Sequence, residues 1–184
     1  MKKMDICILV LVVVSGLYVM GLYNGMVSGQ EAVTRGMSDI DTQLRRRADL
    51  IPNLINTVKG YMDHEKAAIA SVTQARERML GATSVGEKAA AEANLTRALG
   101  SFMVVVENYP DLKANTNFIQ LQDELAGTEN RIATARRDYN KAVEDFNLRI
   151  KRFPGVWFAP RFGFTEAEYF KTDEESRAVP NVKF

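Results

Sequence analysis

Histidine occurs once in this 184-residue chain, as His64 followed by Glu65, and cysteine occurs once, as Cys7. Those two counts bound the chemistry. A diiron helical bundle draws a Glu-x-x-His pair from each of two helices, and a zincin needs two histidines a helical turn apart beside a glutamate. One imidazole builds neither, so His64 is read as a loop or cap residue. A Cys–His or Ser–His nucleophile meets the same shortage, because Cys7 lies in an apolar run read below as membrane-spanning. No glycine is followed by Lys-Ser/Thr at phosphate-loop spacing. Asp and Glu are abundant, but they are scattered over amphipathic segments where carboxylates are ordinarily solvated. The sequence implies a non-enzymatic protein without metal or cofactor.

The other charged feature is the arginine triplet in RRRADLIP, residues 45–52. Leu44, Ile51 and Leu54 share one helical face, and Arg45 and Arg46 fall about 100° and 200° away from Leu44, toward solvent. Arg47 comes three residues after Leu44, on the seam. A guanidinium there requires a carboxylate, because a buried unpaired charge costs several kcal/mol. Asp123, Glu124, Glu129 and Asp138 are the candidates for this seam ion pair. The alternative is a basic patch for a partner or for anionic headgroups. Against headgroups, Arg45 lies about 30 Å along a straight helix from the apolar run. Pro52 removes one helical hydrogen bond and is expected to kink the helix or to begin a new segment.

These side chains sit on elements with clear periods. Composition is 46% apolar and 26% charged, that of a globular chain, and the net charge is +1. Setting aside Lys2, Lys3 and Asp5 leaves 22 basic and 22 acidic residues, which lacks the electrostatic footprint of a nucleic-acid binder. A near-neutral surface does little to oppose self-association.

Residues Ile6 to Gln30 carry no charge, and Ile6–Leu22 is almost wholly apolar. At the helical rise this core covers about 25 Å, or about 33 Å if extended to Val27, enough to cross a bilayer. Tyr18 and Tyr23 fall near its far end, where interfacial aromatics belong. A cleaved signal peptide is the rival, but the apolar stretch is longer than such segments usually are. A retained anchor is expected, contacting membrane lipid. The positive-inside count is nearly tied between Lys2/Lys3 and Arg35/Arg45–Arg47; the expectation adopted is a single-pass protein with its bundle outside the cytoplasm. Gly21, Gly25 and Gly29 form a G-x-x-x-G-x-x-x-G stripe suited to close packing of membrane helices, or are incidental in a membrane helix.

Further on, Phe118, Leu125, Ile132, Tyr139, Phe146 and Phe153 recur every seven residues, with Leu121, Thr128, Ala135 and Ala142 between them. This predicts one helix of roughly 38 residues, capped by Asp111. Val33, Met37, Ile40, Leu44, Ile51, Leu54, Val58 and Met62 predict a second, into which the anchor can run without a break. Ser84 with Glu87 is a capping-box pattern opening a third, which passes through Leu95, Leu99, Phe102 and Val106. Gly60 and Asp63 would end one helix and cap another over 67–80. The expected fold is all-α: an N-terminal transmembrane helix, then an up-and-down antiparallel four-helix bundle, with three long helices as the alternative. Residues 1–23 form the anchor, 24–152 the bundle and 153–184 an aromatic-rich tail. Seven of the chain's sixteen aromatic residues lie between Phe153 and Phe170. They either plug the bundle end, or present Trp157, Phe158 and Phe162 to the membrane interface or a neighbouring subunit.

Several long phrases carry a family resemblance: YNGMV (23–27), QLRRRADLIPNLINTVKGYMDHE (43–65), ENYPDLKAN (107–115), NFIQLQDELAGTENRIATARRDYN (117–140) and FNLRIKRFP (146–154). In this order they closely resemble the LemA family, and the likeness continues to Pro180–Phe184. The resemblance implies a bacterial membrane-anchored four-helix bundle with no established catalytic residues. Two function classes follow. One is a scaffold or self-assembling interaction module, a homo-oligomer with other protein partners left open. The other is a ligand-sensing extracytoplasmic bundle, disfavoured because no second apolar run offers a path for a signal.

Overall fold

The computed structural model describes residues 3–62 and 64–171, with side chains from residue 5 onward. Among the described residues every regular element is helical. The elements are α1 (Lys3–Lys59), α2 (Lys66–Gly81), α3 (Val85–Val106), α4 (Pro110–Lys113), α5 (Thr116–Lys151), α6 (Gly155–Phe158) and a 3-10 turn at Pro160–Phe162. Asp63 and the Pro180–Phe184 end of the family likeness lie outside the described residues.

The apolar run does pass without interruption into the amphipathic segment, giving a first helix of 57 residues. It also passes through Pro52, where a new segment was one expectation. Proline has no N–H for the carbonyl four residues back, which is that of Ala48. Arg76 of α2 supplies the missing donor, its Nε bonding the Ala48 carbonyl at 2.8 Å. With this vacancy filled from outside, the proline is tolerated mid-helix.

α3 opens as the sequence implies. Ser84 Oγ accepts from the Glu87 N–H at 3.2 Å, and the Glu87 carboxylate accepts from the Ser84 N–H at 3.0 Å. The long helix is different. It does not start at Asp111: Pro110–Lys113 form a separate turn, and Asn115 caps α5, its Oδ1 accepting from the Phe118 N–H at 3.1 Å. The helix then ends at Lys151, so Phe153, which continues the seven-residue period, is not part of it. Pro154 explains that stop, because the residue before a proline is pushed out of helical geometry.

The chain divides into two compact units, to both of which α1 and α5 contribute. Among the described residues one takes 38–137 with 169–171, the other 3–37 with 138–168. In the first, α1 contributes Ile40, Ile51, Leu54 and Val58, α2 Val72 and Met79, α3 Leu95, Leu99 and Phe102, and α5 Phe118, Leu125 and Ile132, all buried. The positions follow the 3.6-residue period on each helix. In the second, α1 packs against α5 and the segment after it, with Met26, Phe146, Ile150, Ala159 and Phe164 as the buried cluster.

Candidate functional site

Arg47 is 2% exposed. Its Nη1 lies 3.3 Å from Glu92 Oε1 and 2.9 Å from Thr96 Oγ1, and its Nη2 lies 3.4 Å from Glu129 Oε2. Glu92 is itself buried and meets a second guanidinium, that of Arg136, at 3.5 Å. Arg136 in turn sits 5.3 Å from the ring centre of Phe170. Buried Arg47 and Glu92 thus pair with each other, with Arg136 and the exposed Glu129 completing the cluster, and the Phe170 ring packs on Arg136. Arg45 and Arg46 are exposed, Arg46 with a surface contact to Glu124 at 3.2 Å.

Of the four carboxylates named for Arg47, only Glu129 contacts it; the buried partner, Glu92, was not named. A signal for it exists. Glu92 stands three residues before Leu95 in the series 92, 95, 99, 102, 106, as Arg47 stands in 40, 44, 47, 51, 54. Two opposite charges, each occupying a slot in an apolar stripe, are natural partners. The cluster is a structural neutralisation, and its carboxylates are occupied by guanidinia.

In the second unit the glycines have a definite use. A Cβ on Gly25 would meet Arg149 Nη1 at 3.2 Å, one on Gly29 would meet Phe146 Cδ2 at 3.0 Å, and one on Gly36 would meet Tyr139 Cα at 3.1 Å. Along α1 the contacts ascend while along α5 they descend, so the two helices run antiparallel here, large side chains entering where α1 has none. At the first of these points Arg149 donates to the Gly25 carbonyl. The neighbours of Gly25 and Gly29 within the chain are therefore residues of its own α5. A small-residue stripe says that a backbone approaches closely and not whose backbone it is. Gly21 has open space around it.

The segment after α5 is held to the same unit. Gly155 lies against the Arg149 carbonyl and Met26, where no side chain fits. Gly163 takes a φ of 79°, in the left-handed region that favours glycine, and turns the chain into an extended strap. Asn147 holds that strap with both ends of its amide, accepting from the Ala167 N–H at 2.8 Å and donating to the Ala167 carbonyl at 2.9 Å. The Tyr139 hydroxyl donates to the Glu168 carbonyl at 2.7 Å, and burial pushes that phenol's pKa up. Phe164 is buried, and Tyr23 packs on both Phe162 and Phe164, at 5.2 and 5.8 Å between ring centres. Trp157 and Phe153 are exposed and in edge contact at 4.9 Å, while Phe158 is half-buried against Phe162. The aromatic segment is thus divided between packing and exposure.

His64 is exposed in the turn between α1 and α2, and Cys7 is exposed in the apolar run. Among the described residues no three His, Cys, Asp or Glu side chains converge as metal ligands would. From residue 5 onward α1 is apolar enough to cross a membrane, with a mean hydropathy of 2.5 in a window of which none is buried.

A sequence model of the LemA family matches residues 36–184. The chain belongs to the LemA family. It is 27% identical to two magnetosome proteins of Paramagnetospirillum magneticum, MamQ 1 and MamQ 2, over 175 residues, covering 81% of this chain and 64% of each of theirs. It is 24% identical over 159 residues to Protein LemA of Metamycoplasma hominis, covering 85% of this chain and 72% of that one. The chain therefore spans just under two thirds of the length of the magnetosome relatives.

Proposed function

We propose that this LemA-family chain is a non-enzymatic scaffold or self-assembling interaction module, fixed in a bacterial membrane by a single span, with its helical body outside the cytoplasm. The observation that carries the reading is α1 itself. Its apolar first part has no buried residue in an 18-residue stretch, yet the same helix supplies Met26 and Ile40 to buried cores. About twenty consecutive apolar residues left bare cost far too much in water and belong in hydrocarbon. The body is read as an up-and-down four-helix bundle made of α1, α2, α3 and α5. The magnetosome relatives lend support through their names alone, and those names bring no reaction with them.

The test is native mass spectrometry of the full chain extracted in mild detergent, paired with cross-linking in intact membranes. More than one copy per particle, matched by cross-linked species of the same size, supports self-assembly. A monomer in both measurements overturns it. Anchoring is tested separately by washing membranes with alkaline carbonate, which should leave the chain in the pellet.

A further inference from the structure

We propose that the segment joining α5 to the strap forms a seat on the membrane surface that takes anionic phospholipid headgroups, built from Arg152, Phe153, Val156, Trp157 and Arg161. The inference rests on the α1 span being membrane-inserted; it does not depend on self-assembly.

Three observations converge on it. The first is position. Gly155 packs on Met26, and Phe162 and Phe164 pack on Tyr23, so this segment meets α1 at residues 23–26. Those residues follow directly on the apolar core Ile6–Leu22. A segment fixed there stands at the level of the headgroups, where tryptophan and tyrosine are favoured.

The second is the direction of its side chains. Gly155 and Ala159, four apart, are buried toward α1 and α5. Their turn of helix consequently presents Val156 and Trp157 outward, 45% and 65% exposed, beside Phe153 at 71%. Leu148, on the last turns of α5, adds to the exposed apolar surface. Apolar surface displayed this openly next to a membrane span has an obvious partner in the acyl boundary. The indole ring also brings an N–H that headgroup and ester oxygens can accept.

The third is charge. Residues 146–164 contain Arg149, Lys151, Arg152 and Arg161 and no acidic residue. Arg149 is taken by the Gly25 carbonyl and Lys151 by Glu166, at 2.7 Å. Arg152 and Arg161 are exposed and have no carboxylate partner among the described residues. Two guanidiniums flanking an apolar-aromatic face match a phosphate layer above hydrocarbon, and each basic group near an anionic surface is worth about a fivefold gain in association. A second protein copy would have to supply its own acidic rim, and nothing else on this face asks for one.

Trp157 is the sole tryptophan, so its emission reports on the seat alone. The full chain is reconstituted in phosphatidylcholine membranes with and without phosphatidylglycerol, bearing a spin label either at the headgroup or at mid-chain. The headgroup label should quench Trp157 and the mid-chain label should not. Iodide should be excluded. Quenching should be greater with phosphatidylglycerol, and Arg152→Gln with Arg161→Gln should remove that increment while carbonate-resistant anchoring stays. Iodide-accessible Trp157 in a carbonate-resistant chain overturns the seat alone, as does quenching indifferent to lipid charge. Protection that appears only with more than one chain per nanodisc assigns the face to a second copy and overturns the lipid seat. Release by carbonate overturns the anchor, and the seat with it.

Discussion

Twice along α1 an arginine from another helix donates to the helix backbone, and the two cases have different origins. In one unit Arg76 bonds the Ala48 carbonyl because Pro52 cannot. In the other Arg149 bonds the Gly25 carbonyl, reached across a surface that glycines keep bare. The first carbonyl lacks its helical donor, whereas the second retains one in the Gly29 N–H. The contrast extends to the packing. The Arg47 unit admits charge and pairs buried Arg47 with buried Glu92, leaving Arg47 Nε and Gln43 Oε1 without a hydrogen-bond partner. The Tyr23 unit admits bulk, fitting Arg149, Phe146 and Tyr139 over Gly25, Gly29 and Gly36. One interface is specified by electrostatic pairing and the other by shape, so they should fail under different substitutions.

The largest effect is expected at Arg47. Arg47→Ala removes a guanidinium from between Glu92 and Glu129 and should cost about 3 kcal/mol, the range for breaking a buried pair. Arg46→Ala, at a surface pair, should stay within about 0.5 kcal/mol. Denaturant unfolding of the detergent-solubilised chain distinguishes the two. Equal small losses would mean that the interior charge is not matched as described.

Next comes shape. Gly36→Leu must displace the Tyr139 backbone and should cost about 2 kcal/mol through overpacking. Gly21→Ala, with open space, should be neutral or stabilise slightly, since alanine is the better helix former. Hydrogen exchange should show the Gly36→Leu damage around Tyr139 and Asn147 and leave α2 and α3 protected. If the loss spread evenly through both groups of helices, the two units would be one cooperative block.

How far the sequence discloses this differs between the same two regions. The seven-residue series from Phe118 to Phe146 is buried at every member, because a helical period forces those side chains onto one face. The Ser84–Glu87 box is legible for a similar reason, its partners being three residues apart. Glu92 and Arg76 escaped notice because their partners are 45 and 28 residues away. What betrays them locally is a defect: a charge in an apolar slot, or a proline in an otherwise continuous helix. The glycine stripe was visible as a stripe, but its occupant depends on α5 folding back along α1, which no local pattern encodes. In the tail, the aromatic content is plain in the sequence. Its division into buried Phe164 and exposed Trp157 is fixed by Gly155, Gly163 and the Asn147 clamp.

A double-mutant cycle tests the proline vacancy. Arg76→Ala strands the Ala48 carbonyl in a buried place and should cost about 1–2 kcal/mol. Adding Pro52→Ala restores the N–H that the carbonyl lost, so the pair should recover most of that cost. Arg149→Ala, where the carbonyl keeps its helical donor, should cost less than about 0.5 kcal/mol for the hydrogen bond. Strict additivity of Arg76→Ala and Pro52→Ala would show that the guanidinium is packing there and not completing the helix.

The smallest effect is a surface one, and it separates exposed electrostatics from the buried matching around Arg47. Hydrogen bonds from the Ser84 and Thr83 N–H groups hold the Glu87 carboxyl at a pKa of about 2, below its ordinary 4.5. The carboxyl is fully exposed, so the consequence is local to the start of α3. A depressed carboxylate pKa means that the folded cap prefers the ionised form. Its contribution is complete above pH 4.5 and is lost as pH falls toward about 2. Amide protection in the first turn of α3 should therefore be level from neutrality down to that upper limit and decline below it. Glu87→Gln should flatten the decline, because the amide cannot titrate. A decline that persists in Glu87→Gln would assign the acid sensitivity to other carboxylates and remove the capping box as its source.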